Sequence, residues 1–457
     1  MSFKTTIQSN ENMTRQDSEN RDRDVILKAS GLKKHFDQSD GFLDKLLGSD
    51  GSVKAVDGVD LEVRSGETLA VVGESGCGKS TLGQTLLNLY QATDGIVTFR
   101  SDRISGLSDR QMRPYRSDIQ MVFQDPLASL NPRQTVGDIV TAPMEVHDIG
   151  DSDRDRVKRA EELLERVGLK ASYIDRYPGQ FSGGQQQRVG IARAIAVEPD
   201  LIVADEPVSA LDVSVQAQIL NLLERLQDDL GVSLVLIAHD LSVIRQVSDR
   251  VAVMYLGKIV ETAPTEELFD EPKHPYTKSL LSAVPRIDPS ARTDRVILRG
   301  TVPSPIDPPS GCRFHTRCPA LIPGDEWSGS QEDFRRVFTF QNRMHNGIDI
   351  QAIQRQVRAE DGRDATNESV ATRLIETTFP GDIHSLPDDV RKVIRTAARR
   401  VAEGEPESGL ESLGTICSSP CADTQPKSVD TGQESRATCH RVDPSYEVPE
   451  EVINSSG

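Results

Sequence analysis

Nine consecutive residues have the makings of a polyphosphate cradle. Gly73, Glu74, Ser75, Gly76, Cys77, Gly78, Lys79, Ser80 and Thr81 fulfil G-x-x-x-x-G-K-[ST] in full. The glycines let the backbone wrap closely around phosphates. Free N–H groups and a following helix N-terminus supply positive potential. Lys79 is placed to reach β- and γ-phosphates, and the Ser80 hydroxyl to coordinate Mg²⁺. Cys77 reads as a small loop residue rather than a redox group. Asp205 and Glu206 end an apolar run, as a surface acid pair in a turn also would. After a phosphate loop they suit catalysis instead, with Asp205 holding Mg²⁺ through water and Glu206 polarising or deprotonating an attacking water. Phosphoryl transfer asks mainly for positioning and charge stabilisation. Ser182, Gly183, Gly184 and Gln185 open a helix with unpaired N–H groups and a positive dipole end. That is a second anion site, which one ATP on one phosphate loop does not need. The natural solution is that it completes the site of a second subunit.

Such groups need strands to carry them. Four short apolar runs stand out: residues 68–72, 119–123, 201–204 and 232–238. Continuous apolar runs suit strands covered on both faces of a parallel sheet. Each is followed at once by polar or glycine residues: Gly73 onward, Gln124, Asp205 with Glu206, and His239. Ligands of open α/β sheets bind outside the carboxyl ends of the strands, so four positions point at one crevice. Runs at 25–29, 59–63 and 96–99 suit a small β-layer, interrupted by a loop at 37–52. Residues 105–195 carry charged helical stretches such as 154–167 and fit a helical subdomain inserted in the core. The spacing further predicts a polar disordered tail at 1–24 and a proline-rich extended arm at 264–320. Helical patches are expected at 332–344, 348–358 and 388–401, and loop at 402–419.

Composition narrows the class. A length of 457 residues allows roughly two or three domains. The net charge is −18 and the pI about 5.0, which argues against a nucleic-acid binder and against docking on anionic lipid. An acidic, well-solvated surface is also what a halophile uses in concentrated salt. No apolar run approaches the ~18 residues of a membrane span. One of the six cysteines lies in the phosphate loop and the rest follow residue 311, unlike a secreted disulfide framework. The expected compartment is the cytoplasm.

With these motifs in order, residues 25–263 resemble an ABC transporter nucleotide-binding domain. The resemblance implies a P-loop NTPase parallel-sheet core with an antiparallel β-subdomain and an inserted helical subdomain. Ser182–Gln185 would be the signature motif, clamping a γ-phosphate across a dimer, with Phe181 where the pattern usually has Leu. Gln124 would be the Q-loop residue, touching Mg²⁺ and the attacking water. Asp212 would lie in the D-loop at the dimer seam, and His239 would be the switch histidine near the γ-phosphate. Phe36 would stack on adenine, unless it is a core aromatic. Residues 119–133, Ile-Gln-Met-Val-Phe-Gln-Asp-Pro-Leu-Ala-Ser-Leu-Asn-Pro-Arg, are similar to the F-type ATP-binding subunit of dipeptide/oligopeptide (peptide/nickel) importers. So are His274-Pro-Tyr-Thr277 and the Gly311-to-Pro319 run with its two cysteines, which lie outside any ATP site. The expected partners are a second ATPase subunit, two transmembrane permeases and, indirectly, an extracytoplasmic binding protein. Peripheral attachment to the cytoplasmic face of the membrane follows from that, with a haloarchaeal source from the acidic surface. Nickel or another solute as cargo, and a soluble ABC regulatory or repair ATPase, remain the alternatives.

On this resemblance residues 264–320 and 417–445 form the importer extension, 321–416 a polar, partly helical insertion, and 446–457 a tail. Cys312, Cys318, Cys421 and Cys439 would then be four thiolate ligands of a [4Fe–4S] cluster. Cys417 competes with Cys421 as the third ligand. A Cys₄ zinc site and free thiols are the other readings.

Overall fold

The computed structural model describes residues 24–37, 51–209, 211–283, 298, 300–327, 329–345, 347–361 and 366–446. Most of the expected N-terminal tail, residues 38–50 of the expected 37–52 loop and most of the C-terminal tail lie outside them. The chain divides into two compact units. The first holds residues up to Pro272 together with Ser304–Asp307 and Asp430–Arg436; the second holds Lys273–Pro303, Pro308–Val429 and Ala437 onward.

The first unit is α/β. Strands β1 (Val25–Asp37), β2 (Ser52–Arg64) and β4 (Asp94–Phe99) form an antiparallel layer. Leu27 pairs with Val63 on one side and Phe99 on the other. The main sheet contains β3 (Thr68–Val72), β5 (Ile119–Val122), β6 (Leu201–Asp205), β7 (Ser233–Ala238), β8 (Arg250–Tyr255) and β9 (Lys258–Pro264). Their order is β9-β8-β3-β7-β6-β5. Of these six, only β9 runs antiparallel to its neighbour. Every residue of β3, β6, β7 and β8 is buried, as continuous apolar strands require. The four runs picked out by hydropathy are the adjacent strands β3, β7, β6 and β5, so their carboxyl ends share one edge of the sheet.

Helix α1 (Lys79–Leu86) follows the phosphate loop. Between β5 and β6 come α2 (Val136–Val146), α3 (Asp153–Arg166) and α4 (Gly183–Ile195). Thr135 caps α2 in a reciprocal box with Asp138, and Ser152 caps α3. Val140, Met144, Leu164, Val189 and Ala192 close one apolar core among these helices. Helix α5 (Val213–Leu230) follows β6 and turns off at Gly231 in the left-handed conformation.

The segments after β9 correct several expectations. Residues 264–320 are not simply an extended arm, for they contain helices Thr265–Asp270 and Pro275–Ser282. The insertion is more helical than its polarity implied. It contains α6 (Gln331–His345), α7 (Ile350–Asp361), α8 (Asn367–Thr378), α9 (Asp388–Ala402) and α10 (Pro406–Gly414). Helix α8 was not expected, and α10 replaces part of an expected loop. Its glycines disguised it. A β-carbon on Gly409 would stand 2.9 Å from Ala397 O, so this glycine permits close helix crossing. Finally, insertion and extension share one core: Leu321, Cys417 and Cys421 pack with Phe334, Phe340, Leu374, Ile394 and Leu413. Amphipathic helices must bury their apolar stripe against something, and here the flanking segments supply part of it. The ribbon at Asp430–Arg436, expected in the extension, belongs to the first unit.

Candidate functional site

The strand-end residues converge. Lys79 is buried, and its Nζ donates to the carbonyls of Gly73 at 2.9 Å and Glu74 at 3.2 Å. Ser80 Oγ, one residue on, donates to Asp205 Oδ1 at 2.8 Å across the β3–β6 gap. Burial raises the Asp205 pKa above the ordinary carboxylate range; the Ser80 hydroxyl opposes this, Glu206 reinforces it and Lys79 opposes it. Glu206 Oε1 stands 3.9 Å from Lys79 Nζ. Its Oε2 accepts from Gln124 Nε2 at 3.1 Å and lies 3.2 Å from His239 Nδ1. Six side chains from the ends of four strands are thus linked through Glu206 and Asp205. Glu206 has φ of 41°, a left-handed backbone that non-glycine residues rarely adopt. Its N–H donates to Ile237 O at 3.0 Å, which ties β6 to β7 at this turn.

The loop's glycines are required by its surroundings. A β-carbon on Gly73 would lie 2.1 Å from Met254 O, and one on Gly78 2.0 Å from Ala55 O. Gly76 and Gly78 have φ of 78° and 104°. Cys77 is buried and its thiol is pushed up to about 11 by burial, so it stays protonated and unreactive.

The second anion motif is arranged differently. Ser182 caps α4, its Oγ accepting from Gln185 N–H while Gln185 Oε1 accepts from Ser182 N–H at 3.1 Å. Gly184 permits a close approach to α5, for a β-carbon there would stand 2.5 Å from Val215 Cγ1. Asp212 caps α5, accepting from Val215 N–H at 3.0 Å and Ser214 Oγ at 2.6 Å. Its neighbour Val213 is 81% exposed. None of the described contacts joins Ser182–Gln185 or Asp212 to the cluster around Lys79. Phe36 lies on β1, partly buried, and packs edge-on against Tyr90. Tyr90 was not anticipated: nothing in its local sequence links it to a strand far earlier in the chain.

Three sequence families match this chain. One described as ABC transporter covers residues 56–209, and the oligopeptide/dipeptide transporter C-terminal region covers 260–323. A domain of unknown function covers 331–434. The chain is 52% identical over 304 residues to the oligopeptide transport ATP-binding protein AppF of Bacillus subtilis, covering 66% of this chain and 91% of that protein. It is 51% identical to OppF, the oligopeptide transport ATP-binding protein of Escherichia coli, covering 66% and 90%. A putative oligopeptide transport ATP-binding protein of B. subtilis, YkfD, is 51% identical, covering 65% and 88%. The chain belongs to the oligopeptide-transporter branch of the ABC transporter ATP-binding proteins. Its cassette has the α/β fold of that family, and no helix among the described residues is long and apolar enough to cross a membrane.

This ABC protein also gathers four of its late cysteines. Burial pushes the Cys312 thiol up to about 12, helped by Cys439 and Cys421. Burial also drives Cys318 well up, with Cys439, Cys421 and Cys312 all adding to the effect. Cys312 N–H donates to Cys421 O at 2.8 Å. Cys417 stands apart: burial alone pushes it up to about 12. Of the two candidates for third member, the fold therefore groups Cys421 with the others. Arg441 faces the group, its guanidinium interacting with Cys318, Cys439 and Cys421. Among the described residues, no three such side chains are spaced to hold a single metal ion.

Proposed function

We propose that this chain is an ATP-hydrolysing subunit of an importer of di- or oligopeptides. The observation that carries the proposal is the Glu206 carboxylate, held by Gln124 and His239 beside Lys79. In this reading the phosphate loop from Gly73 to Thr81 cradles the triphosphate. Lys79 exchanges its carbonyl partners for phosphate oxygens. Glu206 orients the attacking water and accepts its proton, and His239 and Gln124 fix the carboxylate's orientation. Phe36 stacks on the adenine. Ser80, Asp205 and Gln124 would hold Mg²⁺, whose role is to neutralise charge on the phosphate oxygens. A cation bound there would offset the burial that raises the Asp205 pKa.

The signature residues Ser182, Gly183, Gly184 and Gln185, with Asp212, serve the loop of a second subunit. What supports this is the exposure of Ser182, Gly183 and Asp212 and the separation of the motif from the chain's own loop. Two permeases and an extracytoplasmic binding protein complete the importer, with this chain at the cytoplasmic face. The 119–133 run supports an F-type subunit, and the excess of acidic over basic residues supports a haloarchaeal origin. The latter reading requires ATPase activity to survive molar KCl, and inactivation there would end it.

The four grouped cysteines are chemically suited to a [4Fe–4S] cluster, which would supply thiolate-bound iron able to carry an electron or simply brace the fold. Cys312, Cys318, Cys421 and Cys439 are the ligands in this proposal, and the Arg441 cation offsets their summed negative charge. Iron and acid-labile sulfide in anaerobically purified protein, lost in Cys318→Ser, test it; colourless, iron-free protein contradicts it.

The decisive experiment for the main reading is Glu206→Gln. It should keep ATP binding and lose turnover by about a hundred-fold or more. Turnover at the wild-type rate would overturn the assignment.

A further inference from the structure

Phe36 is not free to choose its orientation. Its ring meets that of Tyr90 edge-to-face, with centroids 5.4 Å apart and planes at 86°. The Lys34 ammonium lies 4.8 Å from the Phe36 centroid and 5.7 Å from that of Tyr90. Lys34 and Phe36 are two apart on β1, and both meet the Tyr90 ring. Tyr90 comes from the turn after α1, and that turn is fastened to β1. Thr93 N–H donates to Lys33 O at 2.8 Å, and His35 N–H donates to Thr93 Oγ1 at 3.0 Å. The Lys33 ammonium pairs with Asp94 at 3.0 Å. The same α1 begins with Lys79 and Ser80 of the phosphate loop. The turn that carries Tyr90 is therefore fixed at one end to the phosphate site and along its length to the aromatic strand.

We infer that Tyr90 is a positioning residue for base recognition: its ring, with the Lys34 cation, sets the plane of Phe36 for stacking on a purine. The inference rests on Phe36 being the adenine platform. Edge-to-face pairs and cation–π contacts prefer defined geometries, and a platform held by both loses less freedom when a base arrives. Tyr90 itself is 39% exposed. An aromatic left this open at a turn contributes little to core burial, so its contact with Phe36 is the chief one available to explain it. The phenol oxygen makes no contact with Phe36 that the stacking needs, so a phenyl ring should serve equally well.

The test uses the full chain and measures affinity for ATP and for inorganic triphosphate, which has no base. Tyr90→Ala should weaken ATP about five-fold while leaving triphosphate within about two-fold, because only the aromatic contact is lost. Tyr90→Phe should match wild type for both. Turnover at saturating ATP should not change in either. In a Phe36→Ala background, Tyr90→Ala should have no further effect on ATP affinity. Unchanged ATP affinity in Tyr90→Ala overturns the inference. So does a parallel loss of triphosphate binding, which would make Tyr90 a structural support of the loop. If Phe36→Ala itself leaves ATP affinity intact, the adenine platform is wrongly placed, and that failure is distinct from one confined to Tyr90.

Discussion

The two anion-binding motifs of this cassette differ in what surrounds them. Around the phosphate loop everything is already connected: Lys79 and Asp205 are 4% and 3% exposed, and Glu206 is held by two partners. Around Ser182 the hydrogen bonds are local helix caps, and Val213 beside Asp212 is 81% exposed. Buried charge is tolerated only where it is paired and hydrogen-bonded, so the first motif is a finished half-site. In the proposed two-chain site, these capped helix ends meet an anion that another molecule brings. The difference teaches that completeness within one chain and completeness of the site are separate matters.

That contrast can be broken at several points. Glu206→Gln carries the largest expected effect, a loss of turnover of about a hundred-fold or more with ATP still bound. Lys79→Ala should instead strike binding, weakening ATP by at least about ten-fold in the isolated chain; equal affinity would mean the wired half does not hold the phosphates. Gly184→Val lies in the other half. Its added bulk meets Val215, displacing α4 against α5. The assembled transporter should then hydrolyse ATP several-fold more slowly, while the chain's own ATP affinity stays within about two-fold. A matching loss of affinity would blur the division between the halves.

The smallest effect concerns Asp205. Its folded pKa is raised, chiefly by burial, so the native chain binds more protons than the unfolded chain between the ordinary and the raised value. Nucleotide-free stability should therefore fall as pH rises through that window. Asp205→Asn should flatten this slope and slightly raise the nucleotide-free melting temperature. A mutant with the same pH slope as wild type would show that Asp205 is not the group responsible.

Much of the strand-end cluster was legible in the sequence because its signals are local. A continuous apolar strand followed by a polar residue marks a carboxyl end, and four of these fell on adjacent strands. The positive-φ turn at Glu206 and the contact of Tyr90 with Phe36 were not legible, since both depend on partners distant in sequence. Helix α8 and the Gly409-bearing α10 were missed for a related reason: their helicity comes from packing, not from composition. The cysteines show both cases. Their types and order suggested a set of four, but only the fold separates Cys417, whose thiol is shifted by burial and by no other cysteine, from Cys421.

The central question is whether Ser182 serves a phosphate loop other than its own. Ser182→Arg, studied both as the isolated chain and in the assembled transporter, measures this directly. The isolated chain should bind ATP within about two-fold of wild type, because its own loop is untouched. The assembled transporter should lose at least about ten-fold in hydrolysis, because the opposing site loses its clamp. Parallel loss of ATP affinity in the isolated chain, or full hydrolysis in the assembly, would contradict the two-chain site.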